Sequence, residues 1–151
     1  MRTAITFLCL LAVSFPVTLA NAQRTLQGGC SVTYGASDIT TAGKICQVPD
    51  SAVIKEIGII ADAGTPSMTL QRFRQNGNTT VDLTSSALTS GSSGAYACSR
   101  ASGDTASMNG TTTCGSTLQN TSLSKGDWIQ LKTGASASTA TLITVSIAWQ
   151  W

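Results

Sequence analysis

Four of the five cysteines carry the clearest chemistry in this sequence: Cys30, Cys46, Cys98 and Cys114 fall as two pairs, each with members 16 residues apart, while Cys9 lies in the apolar amino-terminal run expected to be cleaved away. An even number of thiols in an exported chain reads as disulfides, because the compartments outside the cytoplasm are oxidising. Four cysteines allow three connectivities. Pairing Cys30 with Cys46 and Cys98 with Cys114 is favoured, since each would close a Gly, Ser and Thr-rich stretch with little core of its own. Closing a loop of that size is worth roughly 3 kcal/mol in the chain-entropy account. A four-thiolate zinc site fits poorly, because no C-x-x-C knuckle is present. No metal and no cofactor are expected.

The chain contains no histidine. That removes Ser-His-Asp and Cys-His nucleophilic mechanisms, the commonest general base and the commonest zinc ligand. Asp62, Asp82, Asp104 and Asp127 are dispersed and Glu56 is the single glutamate, so a two-carboxylate glycosidase site would need a pair that meets only in space. No EF-hand-like loop is present for calcium. No catalytic residue is therefore assigned, and the expected activity is binding rather than turnover.

Five residues are candidates for binding or for an interface. Trp149 and Trp151 stand two apart on a terminal strand, so their rings should point the same way. With Trp128 they would form a stacking platform for sugar rings or an anchor for another subunit. The competing reading packs the terminal strand's Ile-Val-Ile-Trp face into the core; core is the expectation for Trp149, while Trp151 stays open. Arg72 and Arg74 share one strand face and could grip a carboxylate or phosphate. The more ordinary role is a solvated face paired with acids such as Asp82 across a hairpin. Asn78-Thr79-Thr80, Asn109-Gly110-Thr111 and Asn120-Thr121-Ser122 match glycosylation sequons, which chance produces readily in a chain so rich in Ser and Thr.

The elements that must position these residues are strands. Ahead of them stands a secretory leader: Met1 and Arg2, an apolar run from Ala4 to Val13, and an A-x-A cleavage site at Ala20-Asn21-Ala22. Ser14 and Pro16 break the run before it reaches the roughly 20 apolar residues of a membrane span. The expectation is a leader over residues 1–22 and one domain over 23–151, located outside the cytoplasm. Only 11% of the chain is charged, against about 25% in ordinary globular proteins, which excludes a nucleic-acid binder held by a basic stripe.

Within 23–151 no segment keeps a 3.6-residue apolar period, whereas several alternate or form short β-branched runs between Gly, Pro, Asn and Ser. Strands are expected at Ser31 to Tyr34, Lys44 to Val48, Val53 to Ala61, Ala95 to Ser99, Asp127 to Lys132 and Thr141 to Trp151. A hairpin is expected over Met68 to Thr84, its Asn76-Gly77 suited to a two-residue type I′ turn. Gly58 inside an apolar strand marks a bulge or a close backbone approach. From Ser85 to Ser124, 18 of 40 residues are Ser or Thr, a composition that would read as a linker were it not stapled by the second cysteine pair. The pattern is all-β: an antiparallel β-sandwich, jelly-roll-like, of about seven or eight strands.

From Val53 to Trp151 the succession VIKEIGIIA, a Thr-Pro turn, an alternating strand, NGNTT, KGDWIQLK and TLITVSIAWQW resembles the jelly-roll-like β-sandwich domains at the C-terminal ends of phage and prophage fibre or tail-associated proteins and in bacterial surface proteins. The resemblance implies a structural or adhesive module that associates with itself, and it carries over no functional residues. The leader and the cysteine pairs depart from that pattern and favour an exported stand-alone protein. A carbohydrate-binding module using exposed tryptophans is the alternative.

Overall fold

The computed structural model describes residues 27–39, 43–74, 76–90, 95–101 and 114–151. The expected leader, Asp104 and the sequon at Asn109 lie outside the described residues. Among those described there are twelve strands and no helix, hence no helix long and apolar enough to cross a membrane. The strands are β1 (Gln27–Gly35), β2 (Lys44–Gln47), β3 (Ala52–Ala61), β4 (Ser67–Met68), β5 (Leu70–Arg74), β6 (Thr79–Asp82), β7 (Leu88–Thr89), β8 (Ala97–Arg100), β9 (Ser116–Thr117), β10 (Ser122–Leu123), β11 (Trp128–Leu131) and β12 (Leu142–Gln150).

They form three sheets rather than the seven or eight strands expected. A six-stranded sheet runs β1-β12-β3-β8-β9, with β10 paired to β3; a four-stranded sheet runs β2-β11-β5-β6; β4 and β7 make a short ribbon. The surplus lies in β4, β7, β9 and β10, which are two residues long each, too short to alternate visibly in sequence. All pairings are antiparallel except β8 with β9.

The long strands formed where alternation is strong. On β12, Ile143, Val145, Ile147 and Trp149 are buried, and opposite them on β3 stand Ala61, Ile59, Ile57 and Ile54. The register shifts at Ala148/Trp149. That bulge leaves Lys55 as the extra residue, so Lys55 stays exposed while Ile54 and Ile57 both reach the core. The bulge therefore sits at Lys55, not at Gly58. From the four-stranded sheet Leu70, Ile129 and Leu131 are fully buried and belong to the same core cluster, each worth about 1.5–3 kcal/mol of removed apolar surface.

Gly58 is instead the close approach. A methyl group there would collide with the ring and hydroxyl of Tyr96, which lies across the outer side of β3. The Tyr96 hydroxyl donates to Glu56 Oε1 at 2.6 Å, and Arg100 Nη1 lies 3.7 Å from Glu56 Oε2. Glu56, only 3% exposed, is thus partnered on both oxygens, as a buried carboxylate must be. Burial and then the Glu56 hydrogen bond push the Tyr96 phenol up to about 12.

The hairpin is present as β5 and β6, but with a longer turn. Arg74 pairs with Thr79, so residues 75–78 span it, and the left-handed conformation falls on Asn78 (φ 49°) rather than on an Asn76-Gly77 pair. Both favoured disulfides form, Cys30–Cys46 and Cys98–Cys114. The first joins β1 of the six-stranded sheet to β2 of the four-stranded sheet, closing one side of the core.

Candidate functional site

The polar centre of the molecule is a four-residue turn, Ser124 to Asp127, that leads into β11. Gly126 takes φ 87°, a conformation open to glycine at little cost, and the turn is fastened to Val48, the residue just after β2, by Gly126 N–H to Val48 C=O and Val48 N–H to Asp127 C=O. The Asp127 carboxylate points back under the turn, where Oδ2 accepts the Ser124 N–H at 2.9 Å.

Arg72 and Arg74 converge on this carboxylate. Arg74 donates Nε to Oδ1 and Nη2 to Oδ2, both at 3.2 Å, while Arg72 Nε stands 3.9 Å from Oδ2. Asp127 is only 2% exposed. Burial pushes its pKa upward, but the Arg74 hydrogen bonds, the Ser124 N–H and the charges of Arg74 and Arg72 outweigh it, and the carboxyl is held below its ordinary value. Arg72 also donates Nη1 to the Ser122 carbonyl at 2.5 Å, tying the hairpin to β10.

Asp82 is not the arginines' partner. In the hairpin register Asp82 stands opposite Gln71, whose side chain leaves the other face of β5. Asp82 accordingly accepts from Gln71 at 2.7 Å and from Lys132 at 2.9 Å. The sequence places both arginines on one face correctly; the acid they meet comes from a turn about fifty residues further along, which periodicity along one strand cannot reveal.

A cleft of about 310 Å³ opens beside this cluster, lined by Gln47, Arg74, Asn76, Ser124, Lys125, Gly126 and Asp127. Next to it, on the outer face of the four-stranded sheet, Trp128 stands between Gln47 and Phe73 in cross-strand register. Both rings are half-buried, and the Lys44 ammonium lies 4.8 Å from the Trp128 ring and 5.4 Å from Phe73, within range of cation–π attraction. The adjoining row brings Gln130 opposite Gln71. Phe73 and Lys44 were missed by sequence reasoning, although Phe73 could have been found as the residue between the two arginines, facing the opposite way.

The three tryptophans do not share a platform. Trp128 lies in the four-stranded sheet, whereas Trp149 and Trp151 end the six-stranded one. Trp149 is 4% exposed and in the core, as expected for it. Trp151 lies past the end of β12, folds over Gly28 and meets the Trp149 ring edge to face, with centroids 6.3 Å apart and planes at 82°. The two rings therefore offer no common flat surface. Trp151 itself is 42% exposed.

Among the described residues no group of three or more His, Cys, Asp or Glu side chains could hold a metal ion. Asp127 is ionised and saturated by arginine, which makes it a structural anion rather than a proton acceptor. The arrangement is suited to holding a polar ring: two aromatic faces, amides at Gln47, Gln71 and Gln130, and a cleft with cationic and hydroxyl donors at Arg74, Lys125 and Ser124.

No family model matches the chain, and no curated protein matches it. A chain of the solved cyanophage Pam1 capsid asymmetric unit is similar over 99% of this chain and 96% of that one, with 18% sequence identity and a TM-score of 0.38.

Proposed function

We propose that this chain is exported after loss of a leader over residues 1–22, and that residues 23–151 fold as one jelly-roll-like β-sandwich serving as a non-enzymatic structural or adhesive subunit that associates with its own copies. The observation that carries the reading is the outer face of the six-stranded sheet along β1, β12 and β3. It presents Gly29, Ser31 and Thr33 beside Thr144, Ser146 and Ala148, with Ile60 (40%) and Leu142 (54%) exposed among them. Thr33 and Thr144 bond hydroxyl to hydroxyl at 2.8 Å. Along β1 and β12 no charged side chain interrupts the face, and on β3 Glu56 is buried beneath Tyr96, so an apposition along β1 and β12 would desolvate mainly small, hydroxyl or apolar groups. The two disulfides suit an oxidising location. Light scattering of the purified, oxidised protein from micromolar to near-millimolar concentration tests the assembly: mass should rise with concentration, and a strict monomer throughout overturns it.

A second reading, carbohydrate binding, rests on Trp128 and Phe73 rather than on Trp151. Stacked sugar rings use aromatic faces flanked by amides and charged donors, and that is the composition of the outer face of the four-stranded sheet. On a glycan array, hits retained by Trp151→Ala and lost by Trp128→Ala would support it; an array without hits would remove it.

A further inference from the structure

We infer that β1 is a strand-addition edge whose occupant is β1 of a second copy, paired antiparallel about a two-fold axis at Ser31. This deepens the self-association reading and rests on it. Among the described residues β1 pairs on one side only, with β12, through nine consecutive registered pairs and no bulge. An edge of that length is a ready template for another strand unless it carries a protecting device. The other edges of the two main sheets have one. β9 is two residues long, β2 is bulged at Ile45 and carries Lys44, and the four-residue β6 ends on Asp82 with its Lys132 partner. β1, with the sequence QGGCSVTYG, contains no charge and no proline.

Burial points the same way. On β12 the inward residues are buried, but on β1 the inward Cys30, Val32 and Tyr34 are only half-buried although they pack against the core. Among the described residues no strand pairs along their outer flank, and an added strand would cover it. Self-pairing in the register that uses all nine residues sets Ser31 against Ser31, Cys30 against Val32, Gly29 against Thr33 and Gly28 against Tyr34. Apolar groups then meet on the core side, where Tyr34 of one copy comes beside the Trp151 ring that folds over Gly28 of the other, and hydroxyls meet on the opposite side. Because β1 carries no charge, its self-apposition meets no repulsion. An isologous contact of this kind closes as a dimer and continues the six-stranded sheet across the axis.

The test uses Ser31, whose exposed side chain lies at the axis and can be replaced without entering the core. Ser31→Lys and Ser31→Glu each set like charges directly opposite, so each variant alone should associate at least tenfold more weakly than the wild type. Mixed in equal amounts they should recover association as a one-to-one heterodimer by sedimentation velocity, with unchanged far-ultraviolet circular dichroism as the check on folding. If both variants associate as the wild type does, the edge assignment is overturned while the self-association reading stands. If both fall apart and the mixture does not recover, the occupant of the edge is not a second β1. A wild type that stays monomeric overturns both readings.

Discussion

Asp127 is a buried carboxylate that meets two arginines and a backbone N–H, and its removal should be felt through the groups it leaves behind. Asp127→Asn keeps the shape and the Ser124 bond but leaves two arginines without their counter-charge. Hydrogen bonds to charged groups are worth about 1.5–3 kcal/mol, so a loss of that order at pH 7 is expected by urea denaturation. The pH dependence has a definite sign. Asp127 is held below its ordinary value of 3.8, so its contribution is present above that value and is lost as pH falls through the folded pKa. The gap between wild type and variant should therefore be full at neutral pH and shrink in acid. A gap that stays constant from pH 7 to pH 2 would mean that the ion pairs contribute nothing.

At the scale of elements, Gly58 and Tyr96 decide how the outer side of β3 is covered. Gly58→Ala should displace Tyr96, break its bond to Glu56 and cost about 1–3 kcal/mol, the usual penalty for an extra methyl in a filled space. The displaced phenol, held at about 12 in the wild type, should titrate nearer 10, which ultraviolet difference titration reads directly; an unmoved titration would show that Tyr96 does not depend on that contact. The glycine was legible in the sequence as a close approach, though not what approached it. The same limit runs through the fold. β3, β12 and the β5–β6 hairpin were legible because each repeats a two-residue period long enough to mark a buried face. Two-residue strands leave no such trace, and the bulge at Lys55 appears only once β12 is laid beside β3. In the site, the shared face of Arg72 and Arg74 was legible, but Asp127, Phe73 and Lys44 come together through contacts between distant segments. The rings of Trp149 and Trp151 do not point the same way because the strand ends at Gln150, one residue before Trp151.

For the molecule as a whole, the Cys30–Cys46 bridge matters because it links the open edges of the two main sheets at β1 and β2. Removing it by the double change Cys30→Ser and Cys46→Ser should cost roughly 3 kcal/mol through the entropy of the unfolded chain. The loss should appear as a lower Tm in calorimetry, with Cys98–Cys114 intact by mass spectrometry. An unchanged Tm would mean that the core alone holds the two sheets together. The order of the bridges along the chain has a consequence for how the protein is made. Each closes on its nearest neighbour in sequence, and the second cysteine of the first pair precedes the first of the next by about fifty residues. A chain oxidised while it emerges amino end first, as domains fold during synthesis, meets its correct partner before a wrong one exists. Maturation in that order needs no reshuffling of bridges, whereas refolding of the fully reduced chain over residues 23–151 must choose among three pairings and should depend on an isomerase for speed.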